Sequence, residues 1–524
     1  MGIETNPDVQ SHASRILPEV NMMREMVNDK IRSLVFDVVF KDMQIGIDFE
    51  GAEIRKTTMC GEVVKAILKE LEEGNDGNHE EIVDLTPDES EEEKDKEGNI
   101  ITMLAIGDVN FPEFMYPMIR QCLAEFVENF KTLADPDPAI GILGCSYDLG
   151  AKGMPEARST ALKNFDRYYG FSGKTHQVKK KIVDQSAPNG LSIVDEEKAL
   201  MDVLVQNSSL TPGGMHTITV LNIALNKLAE KKNLKKRYCY PDNSFGTWSA
   251  IMKGVTKNEP GKFNQIGTTQ KDGLHLTPEK IHEFYDGHDV DGHDDTWYIT
   301  PLGNPSGTAM TGEQLTRTCE AILDRNPKAS IILDVVYVRT METQDSQELM
   351  SGIIGNPRIM DRVIFIESLS KTDGITGLRA GIFFSANKEL FDTAQNTNMT
   401  LFAGSGNHLS PLVMAFLDDP DGNKDAKKKE LHRFWAQERK GLFNFLTKDG
   451  KYAHLFDDNQ EHINLTQLNR PQGLYLDLKM REGVDKMQIY KETGCIGVET
   501  SMESGKYMRF AVGKITKPTY SKFA

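Results

Sequence analysis

Lys371 lies eight residues before Arg379 and within three residues of two serines, Ser368 and Ser370. A lysine in an enclosed site loses its proton cheaply and can then attack an aldehyde carbon to form an imine. Two hydroxyls and a guanidinium nearby can grip a phosphate, the guanidinium through its planar fork of donors. The apolar run Arg362-Val-Ile-Phe-Ile366 reads as a buried strand, which puts Lys371 on the turn that follows it. A ligand with an aldehyde and a phosphate on one small frame would satisfy this segment.

Upstream residues supply what such a ligand needs next. Asp334 interrupts the strand-like run Ser330-Ile-Ile-Leu-Asp-Val-Val-Tyr337, where burying its charge is costly unless it is paired. Beside a pyridine nitrogen, that carboxylate would raise the nitrogen's pKa and keep it protonated. Asn304, in the turn Asn304-Pro-Ser-Gly307, lies thirty residues before the acid. Thr211-Pro-Gly-Gly-Met-His216 precedes a helical pattern, and glycines at a helix mouth let backbone N–H groups reach an anion. The ligand these groups describe is pyridoxal 5'-phosphate.

Ser-Leu-Ser-Lys371 followed by Gly-Leu-Arg379-Ala-Gly is similar to the lysine motif of the aspartate aminotransferase superfamily, the fold-type I pyridoxal-phosphate enzymes with class I/II aminotransferases. The resemblance runs from about residue 101 to 516. It implies a Schiff base on Lys371 and a pyridine partner in Asp334, with Tyr337 and Asn304 on the cofactor's phenolate oxygen. Gly213, Gly214 and Met215 would cup the phosphate together with Ser368, Ser370 and Arg379. Phe245, with Trp248 second, would stack on the ring. Tyr147 is similar to a tyrosine that reaches the neighbouring subunit's phosphate, although its spacing to Gly153 is one residue longer than the family's. Ser405 is expected to reach the partner's site in the same way. Arg509 would bind the substrate's α-carboxylate. Gly107 would lie near the substrate, in a segment where Val109 replaces the family's proline. Pro471-Gln-Gly-Leu-Tyr-Leu-Asp477 looks like the strand that opens the family's small domain.

The elements that must position these residues follow from the same resemblance. An α/β fold is expected, three-layered, with a mostly parallel sheet in a large domain over 120–430. A smaller α+β domain would combine 101–119 with 431–524. Residues 1–100 would form an N-terminal extension of helical pieces and an acidic linker, with fourteen acids against two lysines between Glu70 and Glu97. A second insertion is read around Lys174 to Asp195.

The 524 residues carry a net charge of −17, which opposes nucleic-acid binding. The six cysteines show no Cys-x-x-Cys pair and read as reduced thiols of a cytoplasmic protein. No membrane association is expected. His288-Asp-Val-Asp-Gly-His-Asp-Asp295, taken as a loop before a strand, lacks zinc spacing, and Asp418–Asp425 departs from a calcium loop, so no metal is expected. The expected partners are an α-amino acid and further copies of the chain, as a homodimer or larger homo-oligomer. The expected reaction is amino-group exchange with a 2-oxo acid, in specialised biosynthesis. The alternative is a lyase or cyclase similar to aminocyclopropane-carboxylate synthase, or a decarboxylase. Dicarboxylate-specific relatives place an arginine just before the Ser405 segment, whereas Met399-Thr-Leu-Phe-Ala403 is apolar here, which points to a neutral or apolar substrate side chain.

Overall fold

A strand covered on both faces needs an unbroken apolar run, and the chain supplies several. The structure is a computed structural model that describes residues 102–103, 109–134, 147–172, 177–184, 192–245, 248, 251, 253, 261–402, 408–448, 450–465 and 468–524. The N-terminal extension, Gly107 and Ser405 lie outside the described residues, and Tyr147 is described only as the first residue of the helix Tyr147–Tyr169.

The largest sheet among the described residues has seven strands. They are β1 (Ser208–Thr211), β2 (Lys235–Pro241), β3 (Phe263–Ile266), β4 (His293–Ile299), β5 (Ser330–Asp334), β6 (Val363–Ser368) and β7 (Gly381–Phe384). Their order is β1-β7-β6-β5-β4-β2-β3. Only β7 runs against its neighbours; the other pairs are parallel. Every residue of β1, β5, β6 and β7 is buried, so both faces of this part of the sheet are covered. The fold is therefore α/β with a mostly parallel sheet, as expected. One boundary moves. His293, Asp294 and Asp295 belong to β4 rather than to a loop, because Asp294 and Asp295 form buried ion pairs with Lys236 and Arg237 on β2.

The parallel strands all end at one edge, and β7 begins there. Gly381 is in register with both Thr211 and Ser368, and Asp334 with Ile366. Ligands of open α/β sheets bind outside this carboxyl edge. A second sheet, β8 (Tyr475–Lys479), β9 (Val498–Met502) and β10 (Gly505–Ala511), is antiparallel in the order β8-β10-β9. The insertion near residue 180 is a hairpin of Gln177–Asp184 and Ser192–Ala199.

Three helices bear on the site. α1 (Gly214–Lys231) follows β1, and the single-turn α2 (Leu369–Thr372) follows β6. α3 (Asn423–Thr447) is 25 residues long and carries buried charges. Arg439 donates from Nη2 to the carbonyls of Leu468 (3.1 Å) and Arg470 (2.7 Å), and from Nη1 to those of Gln472 and Gly473. Burial lowers its pKa to about 10, which leaves it charged at neutral pH. These bonds fix the path of the chain into β8. Arg439→Met should lower the unfolding free energy by about 3 kcal/mol, because three buried carbonyls and a partly buried one lose a charged donor. Urea titration by circular dichroism measures this.

Candidate active site

The anion cradle is built where β1, β6 and β7 meet. Gly213 has φ +93°, a conformation that costs glycine little and other residues a great deal. A side chain there would also collide with Arg379, whose Nη2 lies 2.9 Å from the position of an added Cβ. Arg379 itself holds a left-handed conformation (φ 52°) and donates from Nη1 to the Thr376 carbonyl at 3.0 Å. Gly214 faces Ser368, with 3.9 Å from an added Cβ to the serine Cβ. Ser368 caps α2: its Oγ accepts from the Ser370 N–H at 3.2 Å and donates to the Ala380 carbonyl at 3.0 Å. Ser368 Oγ and Ser370 Oγ are 3.0 Å apart. Gly213, Gly214, Ser368 and Arg379 thus converge at the N-terminus of α1, where the helix dipole favours an anion. Met215, on the first turn, is 43% exposed.

The second group lines the ends of β4 and β5. Asp334 is buried, and its Oδ2 accepts from the Tyr298 hydroxyl while Oδ1 accepts from the Val336 N–H at 3.3 Å. Burial pushes its carboxyl up to about 6 despite both donors. A cationic partner such as a pyridinium would relieve this cost. Tyr337, three residues on, accepts from Asn304 Nδ2 at 3.2 Å and lies 3.0 Å from the Tyr475 hydroxyl. Burial keeps its phenol protonated well above the ordinary range. Asn304 Oδ1 accepts from Arg509 Nη1 at 3.0 Å, and the guanidinium lies 4.8 Å from the centroid of the Tyr475 ring. Arg509, Asn304, Tyr337 and Tyr475 therefore form one connected chain between the two sheets.

Phe245 is half-buried after β2, whereas Trp248 is wholly buried and stacked on Tyr298 with centroids 4.5 Å apart. Of these two aromatics, Phe245 keeps surface for a ligand.

Lys371 sits in α2 and is half-buried. Its turn is held from both sides by charge. Arg339 Nη2 donates to Asp373 Oδ2 (2.7 Å) and Thr372 Oγ1 (2.8 Å), and its Nε is 3.6 Å from Glu367 Oε1. From α3, Lys428 pairs with Asp373 at 2.5 Å, and His432 Nε2 meets the Thr372 carbonyl at 2.9 Å. Burial alone would raise Asp373, but Arg339 and Lys428 outweigh it and hold the carboxyl well below the usual range. Glu367 accepts from the Tyr169 hydroxyl and the Ser368 N–H, yet burial pushes it up to about 7. Sequence reasoning did not single out Tyr298, Tyr475, Arg339, Glu367 or Asp373. A charged residue inside an apolar run was the available signal for Glu367.

These residues fit pyridoxal phosphate on structural grounds: a cradle kept open by glycine, and a buried carboxyl whose charge lacks a cation among its two described donors. The cofactor-free Asp334→Asn protein should gain stability relative to wild type as pH rises from 4.5 to 8. The folded pKa of Asp334 lies above its ordinary 3.8, so ionisation is penalised in the folded state as pH rises through this window. The gain should be about 2–3 kcal/mol at pH 8, from about 1.4 kcal/mol per pH unit. Thermal melting at the two pH values checks the sign.

Comparison with known proteins gives a consistent frame. Residues 246–496 match the family model for aminotransferase class I and II. The chain is 24% identical to 1-aminocyclopropane-1-carboxylate synthase 4 of Arabidopsis thaliana over 181 residues, 33% of this chain and 38% of that protein's length. It is 28% identical over 118 residues to 1-aminocyclopropane-1-carboxylate synthase 1 of Prunus mume, 22% of this chain and 24% of that protein. Among solved structures, the aromatic aminotransferase of Pyrococcus horikoshii superposes with a TM-score of 0.54 at 16% identity, covering 81% of this chain and 92% of its own. An aminotransferase from Staphylococcus aureus gives 0.54 at 15% identity, covering 82% and 93%. At these identities the two structures show the fold.

Proposed function

We propose that the chain is a fold-type I pyridoxal-phosphate enzyme of the superfamily that holds the class I and II aminotransferases, and that within it the protein is an aminotransferase. It would exchange the amino group of an α-amino acid with a 2-oxo acid. The observation that supports this reading is that an anion cradle and a lysine turn meet at the carboxyl edge of the large sheet, with Arg509 of the small sheet bonded to Asn304 beside it.

In this reading Gly213, Gly214, Met215, Ser368, Ser370 and Arg379 hold the cofactor's phosphate, and Tyr147 reaches a partner subunit's. Asp334 holds its ring nitrogen, Tyr337 and Asn304 its phenolate oxygen, Phe245 its ring face and Lys371 its aldehyde carbon. When bound, the cofactor draws electrons from the bonds at the substrate's α-carbon. Arg509 takes the α-carboxylate bidentately, and its bond to Asn304 restrains the guanidinium. Once the substrate's amino group has displaced it from the cofactor's aldehyde carbon, Lys371 Nζ takes the α-proton as general base. Gly107 lies near the substrate. The large domain is 120–430, the smaller one 101–119 with 431–524, and 1–100 the extension, in a cytoplasmic homodimer or larger homo-oligomer. The apolar segment before Ser405 supports a neutral or apolar side chain on the substrate.

A second reading, a lyase or cyclase, is favoured by the short matches to the aminocyclopropane-carboxylate synthases. A panel of single amino acids added to the cofactor-loaded protein separates the two. Amino transfer releases one equivalent of 2-oxo acid per site with loss of the visible cofactor band. Elimination or ring closure turns over with the band retained. Lys371→Ala should abolish turnover, a loss of at least about four orders of magnitude. Borohydride should then no longer fix the cofactor covalently. Fixation at the wild-type level would remove Lys371 from its role.

A further inference from the structure

Asp477 of β8 is in register with Arg509 of β10, so the two side chains leave the same face of the small sheet. Tyr475, two residues before Asp477, shares that face and touches both Arg509 and Tyr337. Asp477 thus stands one strand away from the cation assigned to the substrate's carboxylate. It is 0% exposed, and neither carboxylate oxygen has a charged partner in hydrogen-bond geometry among the described residues; the Thr500 hydroxyl on β9 is the neutral donor nearest to it. An ionised carboxylate in that state is costly, and a nearby cation or a proton relieves it.

The groups around it narrow the choice. On β8 itself, Lys479 is committed to Asp457 at 3.3 Å, and Tyr475 to the Tyr337 hydroxyl. On β10, the Tyr507 hydroxyl lies 2.9 Å from Ser504 Oγ, and Asp242 after β2 adds further negative charge beside Tyr507. On β9, the Thr500 hydroxyl favours the ionised carboxyl as a neutral donor and brings no charge. His462 meets the backbone carbonyl of Asp477 at 2.8 Å, not its carboxylate. The charge that favours ionised Asp477 is that of Arg509.

We propose that Asp477 is a counter-charge which Arg509 shares with the substrate, and that docking of the substrate's α-carboxylate transfers one proton from solvent to Asp477. One O–H bond forms on the aspartate, no electrons are exchanged, and the net charge around Arg509 stays constant. Asp477 is a positioning residue: it acts through Arg509. Burial pushes its carboxyl up to about 7 against the pull of Arg509, so it is poised near neutrality before the second carboxylate arrives. The incoming negative charge raises it further. The inference rests on the assignment of Arg509 made above.

Propionate, a carboxylate with no amino group, is the probe. Isothermal titration of the cofactor-loaded enzyme, in two buffers of different ionisation enthalpy, counts the protons taken up. The wild type should take up roughly one proton per propionate at pH 8 and close to none at pH 6, where Asp477 is already protonated. Its affinity should weaken by about tenfold between these pH values, as linkage requires. Asp477→Asn should lose this uptake and bind propionate about tenfold more tightly than wild type at pH 8. Wild-type uptake that is absent at pH 8, or unchanged in D477N, overturns the proposal. The wild-type count stands even if the variant fails to fold. Arg509→Met should abolish propionate binding. If it does not, or if the wild type binds no propionate, the Arg509 assignment fails and takes this inference with it.

Discussion

The position of Lys371 depends on one buried guanidinium. Arg339 is wholly enclosed and lies between Glu367, four residues before the lysine, and Asp373, two residues after it. Without it, two carboxylates would face each other in a medium that solvates neither. The cost of leaving such charges unpaired is about 3–5 kcal/mol, a large part of the stability of a domain. Lys428 shares the load from α3, so the turn is braced by a helix that is remote in sequence. The backbone between Ser368 and Asp373 is thereby pinned at both ends.

The same economy of charge governs the rest of the cleft. Asp334, Glu367 and Asp477 are buried acids whose carboxyls burial raises to about 6, 7 and 7. Each stands beside a group that carries or receives charge in the proposed chemistry: the ring nitrogen, the lysine turn and the carboxylate-binding arginine. Buried acids with raised pKa values cluster at functional sites. Their cost is tolerable because the surrounding strands are rigid and apolar, with β1, β5, β6 and β7 buried along their whole length.

Much of the large sheet was legible because parallel strands announce themselves as unbroken apolar runs. Asp334 stood out as an acid in such a run, and Lys371 and Arg379 as a short constellation with its own chemistry. The partners were not legible, for a physical reason. Tyr298 meets Asp334 only because β4 lies beside β5, and Tyr475 meets Tyr337 only because the small sheet closes over the large one. Local spacing carries no information about which strands become neighbours. Arg339 illustrates the limit: its role comes from contacts with residues 33 and 34 positions away, with two helices and β6 between. The assignment of His293–Asp295 to a loop failed on the same ground, since lone acids read as solvent-exposed until their cationic partners on β2 are known.

The hairpin Gln177–Asp184 and Ser192–Ala199 pairs only with itself among the described residues, and its register sets Gln177 directly opposite Ala199. The two ends of the insertion are therefore only about 5 Å apart. A segment that leaves and returns at nearly one point can be lengthened, shortened or exchanged while the flanking helices keep their places. The fold thus has a modular port on which new sequence can be tried without altering the sheet edge where the chemistry is done.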